Sequence, residues 1–224
     1  MAFEWMKGPK EGQGLQQVTR KFEQMLEDGR HTFDAAANAL LGGTDPEVIR
    51  QDLFETDQRI NATEQEIRRL LVVHGSVHRF HVPELLVMMS LVKDAERIGD
   101  YAKNLFDLCV RRPPLIDDRE RGLLIDLKNA VSKLLVRTRN VYDEQDQARA
   151  VALLKDADAL QDGCDEAVHR LIGLEGVNAA GVVLAYRYFK RVVSHAANIV
   201  TSLVMPLDKL DYFDEPKLSE KKPG

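Results

Sequence analysis

Residues 94–104 of the chain read DAERIGDYAKN. Apolar and small side chains recur in this stretch at intervals of three and four positions, which is typical of one face of an α-helix. The same spacing extends back to Val82 and forward to Cys109, and Pro113 and Pro114 then prevent the helix from continuing. The sequence therefore predicts a long helix here, with one apolar face and one polar face.

Nearly every other segment of the 224-residue chain repeats this spacing, and sustained alternation of apolar and polar residues is missing. We therefore predict an all-α protein with six long helices. Helices of about 25 to 30 residues reach roughly 40 Å, which suits two elongated three-helix bundles better than a globin-like packing. The expected helices span residues 11–41, 44–75, 82–112, 117–144, 148–174 and 178–205.

The helices before and after the double proline look like two copies of one unit. The second helix falls in step with the fifth, and the third with the sixth, so that Arg97 matches Arg191 and Asn104 matches Asn198. We predict three segments, which are a first three-helix repeat over 1–112, a second three-helix repeat over 115–210 and a flexible tail over 211–224.

Composition and charge exclude several classes of protein. The formal net charge is -5, whereas binding to nucleic acid needs clustered positive charge. The longest nearly apolar run, 85–92, is far shorter than the roughly 20 residues of a membrane-spanning helix, and the N-terminus has no apolar core of signal-peptide length. Cys109 and Cys164 have the apolar neighbours expected of buried, reduced thiols. We expect a cytoplasmic protein that binds no nucleic acid and does not insert into a membrane.

Oxygen-bearing side chains lie on the polar face of the third helix. Glu96, Asp100 and Asn104 are four positions apart and therefore share one face. Two carboxylates one turn apart repel each other, and a cation that prefers oxygen ligands would relieve this repulsion. The alternative is a solvated acidic face that neighbouring lysines and arginines neutralise. Gly99 costs about 1 kcal/mol in a helix relative to alanine, so we expect a helix or a bound ion to approach the backbone there.

A second polar stripe follows the fifth helix. Asp158 and Asp162 share a face with Asp165 and His169, and Asp57 occupies the position of Asp158 in the second helix. Three carboxylates and an imidazole on one face could bind a metal, although a run of charges is often only the solvated side of a helix. Asp57, Asp158 and Asp162 are therefore further candidate ligands.

The sequence contains no pattern typical of an enzyme. Glu166 and His169 have the Glu-x-x-His spacing of di-iron bundles, but such bundles need a second pair, which the chain lacks. Neither Gly-x-Ser-x-Gly nor a glycine-rich loop ending in Lys-Ser/Thr occurs. A di-iron oxidoreductase is therefore disfavoured, and we expect no enzyme.

Residues 94–104 resemble the signature of the PhoU family, in which a Glu(Asp)-x-x-x-Asp pair lies on the third helix of a three-helix repeat. Residues 57–70 are similar to the second helix of that family. The resemblance implies a two-repeat bundle that binds iron or other divalent ions on its surface. It also implies that the protein restrains phosphate uptake and phosphate-regulon signalling by contacting a phosphate transporter and a sensor histidine kinase.

The second repeat departs from this pattern. Lys190 stands where the family has its second glutamate, and Ser194 stands where it has the aspartate. A protonated lysine cannot be a metal ligand and repels a divalent ion. Together with Tyr186, Arg191 and His195, Lys190 predicts a basic and aromatic patch for an anion or for the acidic surface of a partner, unless it is only a solvated face.

We therefore predict a metal-binding regulatory adaptor in which Glu96 and Asp100 ligate iron, manganese or magnesium. It would dock to phosphate transporter components, to a sensor histidine kinase or to both, and a homodimer is compatible with this role. The alternative is a metal-free accessory subunit of an inorganic-phosphate transporter that uses the surface from Lys190 to His195.

Overall fold

A computed structural model of the protein describes residues 13–77, 82–111, 117–174 and 179–211. Within these ranges the chain is built from α-helices and contains no strand, which confirms the all-α prediction. All but the first residue of the expected tail, 211–224, lie outside the described residues. The helices are α1 (Gln13–Gly42), α2 (Pro46–Val77), α3 (Val82–Val110), α4 (Asp118–Glu144), α5 (Gln147–Ile172) and α6 (Ala180–Thr201), followed by a 3₁₀ helix (Leu207–Lys209).

Local sequence explains where three of the helices begin. The side chain of Asp117 accepts a hydrogen bond from the Glu120 amide at 2.8 Å and caps α4, and Asp146 caps α5 through the Arg149 amide at 3.0 Å. Pro46 occupies the first turn of α2, where its missing N–H is not needed. These caps explain why the predicted starts of α2, α4 and α5 lie within about two residues of the observed ones.

Several helix ends differ from the expected positions by two to four residues, and two of these differences have a clear physical cause. α2 continues to Val77 instead of ending at Gly75. A Cβ atom on Gly75 would lie 3.0 Å from Leu85 Cδ1, so this glycine allows α3 to approach and does not end the helix. α6 ends at Thr201, earlier than the expected Met205, because Pro206 cannot extend a helix and the residues before it form turns.

The six helices pack as the two three-helix bundles that the sequence predicts. α1 to α3 pack together, α4 to α6 pack together, and α1 with α4 and α3 with α6 join the two repeats. The buried apolar side chains form one continuous core. Phe22 lies 4.9 Å from Tyr142 and Phe33 lies 5.4 Å from Phe189, measured between ring centroids, so aromatic contacts cross from one repeat to the other.

α3 and α6 cross in opposite directions near the middle of the molecule. Asp94 binds Asn198, while Tyr101, two turns further along α3, lies 6.2 Å from Tyr188, an earlier residue of α6. Tyr101 also stacks on His195 at a centroid distance of 5.5 Å. Because Tyr101 and His195 occupy the same position in the two repeats, the repeats face each other across an approximate twofold axis.

Gly99 is buried where α2 crosses α3. A Cβ atom on Gly99 would lie 3.1 Å from Ile60 Cδ1 of α2. Of the two expectations for this glycine, the structure therefore supports the close approach of a helix.

Candidate functional site

Four carboxylates gather where α2 packs against α3. α3 contributes Glu96 and Asp100, and α2 contributes Asp57 and Glu64; we call these four residues the acidic face. Their side chains are between 13% and 27% exposed, so none of them is fully solvated. Burial strengthens the mutual repulsion of such groups because water screens them less.

The crowding of these carboxylates favours the protonated form of Glu96. Burial raises the pKa of Glu96 to about 7, and the charge of Asp100 and a hydrogen bond with it act in the same direction. Glu64 contributes further repulsion, whereas Arg97 opposes the shift. A hydrogen bond between two carboxyl groups needs a shared proton.

Basic side chains neutralise much of the remaining charge. Lys103 Nζ lies 2.7 Å from Asp57 Oδ1 and 3.1 Å from Asp100 Oδ1, and so bridges α2 and α3. Arg97 NH1 lies 3.1 Å from Asp100 Oδ2, and Arg68 NH2 lies 2.7 Å from a Glu64 oxygen on the same helix. The expected neutralisation by lysine and arginine therefore occurs.

Whether the acidic face fits a metal ion depends on this balance of charge. Its four carboxylates face three cations, Arg68, Arg97 and Lys103, which leaves one negative charge in excess when every group is ionised. The donors are all carboxylate oxygens, which suit hard cations. In the described ranges no three His, Cys, Asp or Glu side chains are already arranged to hold a metal. The donor oxygens suit a hard cation by their chemistry, and such an ion would have to displace Lys103 from Asp57 and Asp100.

The candidate ligands of the second repeat have different surroundings. Asp158 lines a small cavity of about 50 Å³ together with Ser194, Asn198 and Asp211, whereas Asp162 is exposed on the surface of α5. The cavity is polar but holds only one or two water-sized groups.

The Glu-x-x-His pair of α5 is also on the surface. Glu166 and His169 are both exposed, whereas di-iron ligands project into the core of a bundle. This position gives no support to di-iron chemistry.

The four residues of the expected basic and aromatic patch lie in different environments. Tyr186 is buried and its hydroxyl donates to Glu120 Oε1 at 2.7 Å. Lys190 binds Asp165, and Arg191 is exposed. His195 lies in the contact between the repeats, where it stacks on Tyr101. The structure therefore does not bring these four side chains together on one surface.

Comparison with known proteins identifies the first repeat. A model of the PhoU domain family matches residues 22–108, a range that contains the whole acidic face. Residues 22–108 are therefore similar to PhoU domains. The predicted resemblance to the PhoU family is thereby confirmed.

Solved structures extend the likeness to the fold of the whole chain. PhoU from Pseudomonas aeruginosa superposes with a TM-score of 0.77 at 19% identity, over 88% of this chain and 97% of that protein. The phosphate transport system regulatory protein PhoU from Streptococcus pneumoniae superposes with a TM-score of 0.74 at 16% identity, over 87% and 94%. No curated protein matches the sequence. No helix within the described ranges is both long and apolar enough to span a membrane.

A groove of about 550 Å³ adjoins the acidic face. Arg50, Phe54, Asp100 and Asn104 contribute to its walls, so the groove shares Asp100 with the acidic face. Phe54 is 62% exposed, and the Arg50 guanidinium lies 5.2 Å from the centre of the Phe106 ring. The groove combines apolar, aromatic and basic groups, as surfaces that bind partners commonly do.

Asp94 is the polar centre of the contact between the repeats, and the sequence pattern does not mark it as a functional residue. Asp94 is only 7% exposed, and its Oδ1 lies 2.7 Å from His195 Nδ1 and 3.1 Å from Asn198 Nδ2. Burial and the charge of Asp94 also raise the pKa of Asp211, which lies after α6. The sequence does hold one indication of this contact, because Tyr101 and His195 occupy equivalent positions in the two repeats. Equivalent residues meet where two repeats face each other across a twofold axis, and Asp94 lies two turns from Tyr101 on the same helix.

The raised pKa of Glu96 predicts a pH-dependent stability for the protein. The folded protein binds this proton more tightly than the unfolded chain, whose glutamate titrates near 4.5. The free energy of unfolding therefore falls as pH rises from 4.5 through 7. Glu96→Gln removes the unfavourable negative charge that Glu96 carries in the folded protein at high pH. The variant should therefore have a free energy of unfolding about 1 kcal/mol higher at pH 8, after discounting for solvent screening.

Thermal unfolding of the Glu96→Gln variant and the native protein at pH 5 and pH 8 measures this effect. The stabilisation should be present at pH 8 and nearly absent at pH 5. Glu55→Gln, at an exposed position of α2, is the control and should change stability little at either pH. An equal effect of Glu96→Gln at both pH values would contradict the prediction.

Proposed function

We propose that the protein is a metal-binding regulator of phosphate uptake that acts by docking to phosphate-transport machinery. The observation that carries this proposal is the acidic face within residues 22–108, whose four partly buried carboxylates have only three basic partners. The fold is shared with a protein described as a phosphate transport system regulatory protein, which supports the regulatory role. No catalytic step is part of the proposal.

The residues that would hold the metal are Glu96 and Asp100, with Asp57 from the neighbouring helix. Iron, manganese and magnesium all suit ligands of this kind. The bound cation would supply positive charge that stabilises the ionised carboxylates. Lys103 already bridges Asp57 and Asp100, so it competes with the cation for the same oxygens.

In this proposal the helix bundle holds the acidic face in a fixed position, where a partner protein can contact it. The groove that contains Phe54 and Arg50 adjoins the acidic face through Asp100, so a change of charge on that carboxylate alters the surface beside the groove. We propose that a transporter component or a sensor histidine kinase binds this surface and responds to its charge. Affinity capture from cells grown at high and at low phosphate identifies the partner.

Removal of both carboxylates of α3 tests the metal. We expect the Glu96→Ala/Asp100→Ala variant to bind Mn²⁺ or Fe²⁺ at least tenfold more weakly than the native protein, because the remaining acidic residues are bound by Lys103 and Arg68. Isothermal titration calorimetry of the metal-free protein measures the affinity.

Glu55→Ala/Asp126→Ala is the matched control, because it removes the same charge from exposed positions of α2 and α4. This control should bind the metal with the affinity of the native protein. Equal binding by both double variants would disprove the assignment of Glu96 and Asp100.

A metal-free accessory subunit is the second candidate function. The bridge from Lys103 to Asp57 and Asp100 favours it, because an ammonium already supplies a cation to the acidic face. Elemental analysis of the purified protein, together with titration with Fe²⁺, Mn²⁺ and Mg²⁺, separates the two functions. Partner capture without any bound metal would support the accessory subunit.

A further inference from the structure

The two repeats place opposite charges at equivalent positions. Glu96 of the first repeat corresponds to Lys190 of the second, and Glu64 corresponds to Asp165. We infer that Lys190 is a built-in cation of the second repeat, and that the protein therefore binds metal through its first repeat alone. This inference rests on the proposed metal binding by the acidic face.

The contacts of Lys190 carry the inference. Its Nζ bonds to Asp165 Oδ2, and Arg187 NH1 lies 3.3 Å from Asp165 Oδ1. The Lys190 side chain is 24% exposed and that of Asp165 is 37% exposed, so the pair is partly shielded from water. Two basic groups thus satisfy both oxygens of a carboxylate that would otherwise be available to an ion.

In the first repeat, the equivalent pair consists of two carboxylates that repel each other. The side chains of Glu64 and Glu96 are only 13% and 18% exposed, so water screens their repulsion incompletely. An external cation stabilises such a pair, whereas a lysine and a carboxylate already stabilise each other. A divalent ion at Asp165 would have to displace Lys190 and then remain close to its positive charge.

The two repeats differ at two further equivalent positions. Ser194 replaces Asp100, so the second repeat lacks the other carboxylate of the metal-binding pair. Ala197 replaces Lys103, so it also lacks the lysine that bridges the helices in the first repeat. The last helix of each repeat therefore carries a lysine that contacts the preceding helix, Lys103 on α3 in the first repeat and Lys190 on α6 in the second. In the first repeat, carboxylates still outnumber the basic groups after Lys103 is counted. In the second repeat, Lys190 stands at the position of a carboxylate, so no such excess arises.

Rebuilding the carboxylate pair tests the inference. We expect Lys190→Glu/Ser194→Asp to increase the Mn²⁺ bound per chain about twofold, measured by equilibrium dialysis followed by elemental analysis. Without metal the variant should unfold at a lower temperature than the native protein, because the introduced glutamate and Asp165 would repel each other. Addition of Mn²⁺ should raise the unfolding temperature back to that of the native protein. Far-ultraviolet circular dichroism verifies that the variant remains helical.

Arg191→Glu/Leu184→Asp is the matched control, because it makes the same change of charge at exposed positions of the same helix. It should bind no additional Mn²⁺. The Glu96→Ala/Asp100→Ala variant should lose all specific Mn²⁺ binding, because the second repeat holds none.

The outcomes separate the inference from the proposed function. If the native protein binds Mn²⁺ and the rebuilt variant binds no more, Lys190 is not the reason for the difference and the inference is wrong. Retention of half the metal by Glu96→Ala/Asp100→Ala would also overturn it. If the native protein binds no Mn²⁺, the proposed function fails, while a gain in the rebuilt variant would still support the role of Lys190.

Discussion

Replacing Phe33 by alanine should lower the free energy of unfolding by about 3–5 kcal/mol. Phe33 is fully buried on α1, and its ring meets that of Phe189 on α6 edge to face at 5.4 Å and an angle of 85°. The substitution leaves a cavity where the repeats meet and removes an aromatic contact that contributes about 0.5–1.5 kcal/mol. For a chain of this size, the melting temperature should fall by roughly 10 °C.

Chemical denaturation monitored by circular dichroism measures the loss. Phe54→Ala is the matched control, because Phe54 is 62% exposed and its removal should change stability by only about 0.5 kcal/mol or less. If the Phe33 variant were as stable as the control, the two repeats would not depend on this contact.

Replacing Asp94 by alanine should cost about 2–4 kcal/mol. The Asp94 carboxylate accepts a hydrogen bond from Asn198 at 3.1 Å and pairs with His195 at 2.7 Å, and all three residues lie between α3 and α6. Alanine would leave two polar side chains without this partner in a largely buried contact. The effect is large because the acid joins helices of different repeats.

Asp94→Asn is the conservative variant, since it preserves the volume and part of the hydrogen bonding. We expect it to cost about half as much as alanine. A double-mutant cycle of Asp94→Ala with His195→Ala should show a coupling of at least about 1 kcal/mol. Additive effects of the two substitutions would show that the pair contributes nothing specific.

Helix positions were predictable because they depend on local chemistry. The period of the apolar residues places α3 correctly from Val82, and the aspartates before α4 and α5 cap those helices as their positions suggest. The ends at Gly75 and Met205 were wrong by a few residues. Packing of α3 against α2 decides the first, and the turns before Pro206 decide the second.

The acidic face was only partly predictable. The spacing of Glu96 and Asp100 places them on one side of α3, and their interaction follows from that spacing. The spacing does not reveal that Glu64 lies close enough to raise the pKa of Glu96, nor that Lys103 bridges to Asp57. These contacts depend on the rotation of α2 against α3, which the buried side chains determine.

The amino-acid sequence by itself determined the helical class of this protein, the duplicated order of its helices and the carboxylate pair on α3. Each of these follows from interactions between residues that are close along the chain. Only the tertiary structure decided which charges become neighbours, so that Lys190 binds Asp165 and His195 binds Asp94 in place of forming a common basic patch. The reason is that contacts between helices are set by the packing of a shared core, and the separation of residues in the sequence does not encode that packing directly.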